Sequence, residues 1–469
     1  MIIKILIELS ILYTLLVVKI PESPPSPSAL FSRISPERFA ALVQNRGWLE
    51  ADLRYLHWDE LRHRPPPTPD VSHEEWWLMI KLRRQNQARL LPLRDNLGQA
   101  FSYVLAEPIL KALRYIDRYA GGTDALGNPG INTQINPAER DRYLFNQRME
   151  EAITSSQLEG ASTTRRVAEE MLRNGRDPRD NSERMIYNNF AAMRHIQTIA
   201  DSPITPDALC TIHQIATHGT LKNPAEEGVF RLDDEVRVVD DQGMLLHQPP
   251  KAAELAERMQ ILCDFANQTE DDEPYCHPVI RAALLHFMLG FNHPFSDGNG
   301  RTARALFYWC MVRQGYPLME FVSISEVLRK APGQYMRAYL HTETDASDAT
   351  YFILFHLEVI EKALKSLHDY LVQKNTELQQ IKSLLGAFKD REKLNLRQLA
   401  LLSGALKGRT DPYTIESHQR SHNVAYATAR QDLLHLARLA LLHEQKKGRA
   451  FEYFAPLDLK NILVGLGKK

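Results

Sequence analysis

Apolar residues recur at helical spacing on both sides of one interruption, "NHPFSDGNG", which begins at Asn292. The stretch VIRAALLHFMLGFNH predicts a buried helix that ends near His293. Pro294 denies the residue before it the helical conformation, and Asp-Gly-Asn-Gly cannot hold a regular helix. RTARALFYWCMVRQG then restarts a helix that stops at Gly315. Helical spacing dominates from about 138 to 370, with one exception, EVRVVDDQGMLLHQPP. There Val236 and Val238 alternate with polar residues, Asp-Asp-Gln-Gly turns the chain, and Met244 and Leu246 return, a hairpin signal over 235–250. An isolated hairpin is marginal in water, so this one is expected to lean on the helices and cover something.

The flanks are also read as helical. Residues 29–130 are aromatic-rich, and Ser72 with Glu75 three residues on forms a capping box that starts a helix at SHEEWWLMIKLRRQNQARLLPLRDNL. Trp58, Trp76 and Trp77 read as packing residues. AGGTDALGNPGINTQINP is a turn-rich linker. One or two long helices follow from Tyr351 to about Asp390. The tail then reads helix, helix, hairpin: LNLRQLALLSG, a loop, SHNVAYATARQDLLHLARLALLHE with Leu433, Leu434, Leu436, Leu439 and Leu442 as its core stripe, and QKKGRAFEYF with a basic turn at Lys446 to Arg449. That order is similar to a winged helix, with Tyr426 to Arg430 on the second helix of a helix-turn-helix. The expected division is an extension over 1–28, an N-terminal helical domain over 29–130, a helical core over 131–372, and a C-terminal helical and winged-helix domain over 373–469.

Composition narrows the partners. The 469 residues are 44% hydrophobic and 25% charged, with formal net charge −1, which gives no global attraction to nucleic acid or anionic membrane. Cys210, Cys263, Cys276 and Cys310 are scattered with no CxxC pair, which argues against a zinc ribbon or disulfide framework and fits a reducing compartment. The first twenty residues are apolar, but Lys4, Glu8 and Lys19 leave only Leu9 to Val18 uncharged, short of the ~20 residues a span needs. They are read as a peripheral extension or a misplaced start before a targeting segment, and the rest as cytoplasmic.

The interruption carries the chemistry. The start of a helix leaves N–H groups and a dipole that favour an anion. Arg301 and Arg304, three apart, share a face and can grip phosphate oxygens. Asp297 adds a hard oxygen, and magnesium needs only one or two carboxylates beside substrate phosphates. His293 is the local group whose ordinary pKa, ~6.5, suits a base near neutral pH. Separately these read as a helix end, a turn and a solvated arginine pair; together they point to nucleotidyl or phosphoryl transfer to a hydroxyl. An EF-hand would need other residues where Arg301 and Tyr308 stand, and no GxxxxGK[ST] exists in the chain. His286 reads as core packing, since no HExxH accompanies it.

HPFSDGNGRTAR resembles the signature of Fic-domain proteins, His-x-Phe-x-[Asp/Glu]-Gly-Asn-Gly-Arg-x-x-Arg, at every defined position. The resemblance covers roughly 138–370, and the flanking domains are similar to those of bacterial members. It implies a mainly α fold: an all-helical core with a β-hairpin flap. It further implies transfer of AMP from ATP to a Tyr, Thr or Ser hydroxyl of a protein, releasing pyrophosphate. By that resemblance His293 takes the hydroxyl proton, Asp297 holds Mg2+, Phe295 packs the loop from below, Gly298, Asn299 and Gly300 cradle phosphates, and Arg301 and Arg304 hold the distal ones. The family's kinase branch replaces the glycine at position 298, so its presence favours AMP transfer.

SSQLEG, Ser155 to Gly160, resembles the family's inhibitory element, [Ser/Thr]-x-x-x-Glu-[Gly/Asn]. In members with that element the glutamate pairs with the second arginine, here Glu159 with Arg304. The hairpin with Val236 and Val238 resembles the flap that adds a strand to the target segment. Tyr335 stands where relatives hold adenine, although Met336 replaces the usual second aromatic and Glu343 a downstream Asn. Two other readings stay open: a DNA-binding regulator whose core senses nucleotide, and removal of AMP by the same site. Modification of the chain itself and a homodimer are also left open.

Overall fold

The computed structural model describes residues 19–44, 52, 54–121, 137–240, 242–392, 394–406, 412–447 and 450–466. The N-terminal apolar stretch to Val18, most of the turn-rich linker and the tip of the C-terminal basic turn lie outside the described residues. The fold is mainly helical, with three two-stranded antiparallel hairpins among the described residues. Among the described residues no helix is long and apolar enough to cross a membrane. The chain divides into two compact units.

The first unit contains residues up to Asp117, 191–316 and 324–361. At its centre lies Pro278–Asn292, where even Arg281 and His286 are buried among Leu284, Leu285, Phe287 and Leu289. Its neighbour Asn299–Arg313 is buried from Asn299 to Met311 except at Gly300. The second of these helices thus begins at Asn299, two residues before the expected Arg301, because Gly298 adopts a left-handed conformation (φ 81°) and serves as its N-cap. The expected hairpin is present but short. Val238–Val239 pairs with Leu245–His247, and Val236 lies outside the ladder. It does lean on a helix: Val238 and Leu246 pack against Met336 and Leu340 of Pro332–Thr344.

One expectation for this unit fails. The helix opened by the Ser72–Glu75 capping box ends at Gln87, and Arg89–Arg94 pairs with Ala100–Tyr103 as a hairpin. Pro92 has no place in a helix interior, and Leu91 and Leu93 are buried while Leu90 and Arg94 are exposed, a strand alternation. Charge as well as apolar packing holds these N-terminal residues in place. Arg84, 2% exposed, pairs with Asp52, donates to Tyr351 Oη at 2.8 Å and to the Leu56 carbonyl at 3.1 Å, and lies 3.7 Å over the Tyr55 ring. Lys81 reaches Asp345 at 2.9 Å, and Tyr55 donates to Asp348 at 2.7 Å.

The second unit contains 118–190, 317–323 and 362 onward. It holds Pro137–Leu158, Arg165–Asn174 and the C-terminal elements. The residues from Tyr351 to Asp390 lie on a single helix, Thr350–Glu392, whose first part is counted with the first unit. The tail carries more helices than expected. Ile415–His422 is capped by Thr414 and Ser417, Asn423 ends it in a left-handed conformation (φ 47°), and Tyr426–Arg438 follows. Tyr426 to Arg430 thus lie, as expected, on the second helix of a helix-turn-helix, whose first helix, Ile415–His422, falls mostly in the stretch read as a loop. This pair is followed by the ribbon His443–Lys447 with Ala450–Phe454 and a last helix, Leu459–Leu466.

Replacing Arg84 with Met would leave the Asp52 carboxylate buried without its cation. The expected outcome is a loss of roughly 3–5 kcal/mol, measured as an earlier urea transition in tryptophan fluorescence.

Candidate active site

The site is built where the two central helices meet. Pro294 excludes the helical conformation at His293, which turns left-handed (φ 44°, ψ 57°) and ends Pro278–Asn292. Its N–H still bonds the Leu289 carbonyl at 3.0 Å, and its ring Nδ1 lies 2.9 Å from the Gly290 carbonyl. A carbonyl can only accept, so Nδ1 carries the proton in the neutral ring and Nε2 keeps its lone pair. The imidazole is half-buried, and in this tautomer Nε2 is the ring nitrogen able to take a proton.

The loop after His293 is held by residues on several elements. Phe295 is fully buried and stacks on His213, centroids 3.7 Å apart and planes 2° from parallel. Asn299 brackets Phe295: its Oδ1 accepts from the Phe295 N–H at 2.9 Å and its Nδ2 donates to the Phe295 carbonyl at 2.8 Å. The Asn299 side chain therefore shapes the loop, leaving its backbone N–H, with that of Gly300, at the start of the helix and outside its internal ladder. At Gly298 a Cβ would sit 2.5 Å from Thr217 Cγ2, and φ is 81°. Both the space and the backbone angle require glycine there. Asp297 is exposed, and one of its carboxylate oxygens turns back to the Gly298 N–H.

Arg301 and Arg304 are 1% and 2% exposed, which rules out a solvated surface pair. Arg301 donates from Nη1 to the Ala216 carbonyl at 2.7 Å. Both guanidinium groups are thus kept from water beside the helix start. Tyr335 directs its hydroxyl to His286 Nε2 at 2.8 Å, and His286 Nδ1 meets His356 Nε2 at 2.8 Å. Burial, with His356 and Arg304 nearby, holds His286 well below the usual imidazole range. The core-packing reading of His286 fits this placement. Ser155 is fully buried near the end of Pro137–Leu158, and Glu159 and Gly160 (φ 91°) form the turn that follows, within the second unit.

Two residues escaped the sequence reading. Arg231 donates from Nε to the His293 carbonyl at 2.9 Å and from Nη1 to the Asp233 carbonyl at 2.7 Å, while Nη2 bonds the Pro250 carbonyl. Its own N–H bonds the Pro294 carbonyl at 2.8 Å. It therefore ties the histidine loop to both ends of the hairpin segment. A lone arginine in GVFRLDD gives no such signal. His213 donates from Nε2 to the Asp297 carbonyl at 2.8 Å and accepts at Nδ1 from the Gly228 N–H at 2.9 Å. Both bonds demand the neutral ring, and burial brings its pKa down to about 4.

This has a consequence in acid. Unfolded, His213 binds a proton near pH 6.5; folded, it does so only near 4. Between those values the unfolded chain holds more protons, so stability falls as pH drops through the window, by about 3 kcal/mol from this residue. His213→Gln is expected to reduce the slope of unfolding free energy against pH by about one proton in that window, read from urea titrations at several pH values.

Parts of the chain are similar to known Fic proteins. The Fic/DOC family model matches residues 203–311. The protein adenylyltransferase Fic of Nematostella vectensis is 36% identical over 115 residues, covering 24% of each chain. The protein of that name in Drosophila willistoni is 30% identical over 189 residues, covering 40% of this chain and 35% of that one. These matches span about a quarter to a third of the relatives' own length. Among solved structures, a Fic family protein from Desulfovibrio desulfuricans has TM-score 0.47 at 17% identity, covering 76% of this chain and 98% of that one. Fic-1 from C. elegans has TM-score 0.46 at 20% identity, covering 80% and 93%. The chain carries a Fic/DOC-family domain, and the histidine loop lies within it.

Proposed function

We propose that this chain is a protein adenylyltransferase that moves AMP from ATP to a Tyr, Thr or Ser hydroxyl of a protein, with Glu159 as an internal brake. The observation that carries the reading is the His293 Nδ1 bond to the Gly290 carbonyl, which reserves Nε2 for the acceptor proton. In the reaction the target oxygen bonds to the α-phosphorus, the bond from that phosphorus to the bridging oxygen breaks, and pyrophosphate leaves. The hydroxyl proton passes to His293 Nε2. Little covalent work falls to the protein, so positioning and charge carry the rate.

Arg301, Arg304 and the N–H groups of Asn299 and Gly300 are assigned to the phosphates. Asp297 fits a metal that arrives with them. It is exposed at the helix start, and among the described residues no cluster of three His, Cys, Asp or Glu could hold an ion unaided. Magnesium in such a setting takes one or two carboxylates and supplies charge neutralisation to the phosphates. The relatives' name, protein adenylyltransferase, supports the transferred group; the Glu159 brake and the Ser155–Gly160 element rest on the motif.

Two outcomes test this. His293→Ala should lower incorporation of labelled AMP into protein by about 10²–10⁴-fold while leaving ATP binding in place, measured by filter binding. Glu159→Gly should raise labelling by roughly tenfold, followed by intact-protein mass spectrometry; unchanged labelling would count against the brake.

A further inference from the structure

The short hairpin Val238–Val239 with Leu245–His247 has too few paired residues to stand alone. Its apolar contact is modest: Val238 and Leu246 against Met336 and Leu340. His247 supplies something more specific. It is 8% exposed, and both ring nitrogens are engaged. Nε2 lies 2.7 Å from the carbonyl of Phe291, two residues before His293. Nδ1 lies 2.7 Å from Glu343 Oε2 on Pro332–Thr344. The ring also rests against Phe291, centroids 4.7 Å apart. The carbonyl can only accept, so Nε2 is a donor. One side chain thus joins the hairpin to the last turn of the histidine helix and to the helix beneath the hairpin.

We infer that His247 is a positioning residue, which with Glu343 sets the height and register of the hairpin over His293 and so controls how an acceptor segment is presented. Arg231 fixes the ends of the hairpin segment at Asp233 and Pro250, whereas His247 fixes its second strand. Without His247, the second strand keeps the Val238 and Leu246 packing and the bond from Asn96 Nδ2 to the Gln248 carbonyl just beyond it, and a hairpin this short frays. A hydrogen bond accepted by a carboxylate is stronger than one between neutral groups, so removing the Glu343 carboxylate should be visible as opening. The kinetic part of the inference rests on the nucleotidyl-transfer reading above; the structural part does not.

The test uses the full chain and three variants, Glu343→Ala, Glu343→Gln and His247→Ala. Backbone hydrogen exchange over 238–247, read by mass spectrometry, is expected to quicken by roughly tenfold in Glu343→Ala and His247→Ala. In Glu343→Gln, whose amide can pair with Nδ1 as either donor or acceptor, it should stay near wild type. Exchange over 278–292 should not change. In the transfer assay, KM for the protein acceptor should rise several-fold in Glu343→Ala while KM for ATP and the thermal midpoint hold, and Glu343→Gln should restore it. If Glu343→Ala exchanges like wild type over 238–247, the inference is overturned, even if His247→Ala fails to fold. If the flap opens as expected but no variant, nor the wild type, transfers AMP, the positioning role stands and the proposed activity fails.

Discussion

The active-site geometry depends on a left-handed turn at one histidine. A non-glycine residue in that conformation is disfavoured by roughly 1–2 kcal/mol, and here the proline that follows leaves His293 no helical alternative. The turn ends one helix and brings the ring to a carbonyl of that helix's last turn, at Gly290. A carbonyl at Nδ1 fixes the tautomer of the neutral ring while adding no charge. The same turn sends the chain through Phe295 and Gly298 into the next helix, so the place of the imidazole and the start of that helix are set by one backbone event. Arg231 secures it from outside by bonding the two carbonyls, His293 and Pro294, that the turn exposes.

Apart from Arg231, the side chains that hold the loop are neutral where they touch it. His213 stacks under Phe295 and holds the Asp297 carbonyl as a neutral ring. Asn299 closes on Phe295 with both amide atoms. Arg301 and Arg304 are the opposite case, cations kept almost wholly from water. Burying a guanidinium is costly unless its donors are met, and Arg301 donates to the Ala216 carbonyl. A ligand with concentrated negative charge would gain more from such groups than from solvated ones.

Much of this was legible in the sequence wherever a local rule decided the outcome. The helix break at His293 follows from Pro294, the helix start from the glycines, the capped helix from Ser72 and Glu75, and the hairpin from alternation around a turn. Where tertiary context decided, the reading fell short. Arg89–Arg94 continues an apolar, basic pattern that suits a helix, and only Pro92 and the partner strand Ala100–Tyr103 make it a hairpin. The helix Ile415–His422 is polar, and its caps become visible only with its packing, as at buried His418 and His422. His213 and Arg231 are single residues on unremarkable stretches. Their roles come from carbonyls 84 and 62 residues away, which no spacing rule reports.

Nitrogen-15 NMR of the chain labelled at histidine, with the His293 signals assigned by their loss in His293→Ala, tests the central claim most directly. Near neutral pH the account predicts a protonated, pyrrole-like Nδ1 and a bare, pyridine-like Nε2 at His293, the Nε2 signal moving when ATP and magnesium are added. A proton on Nε2 with a bare Nδ1 would contradict it, since the nitrogen assigned to the acceptor's proton would already be occupied.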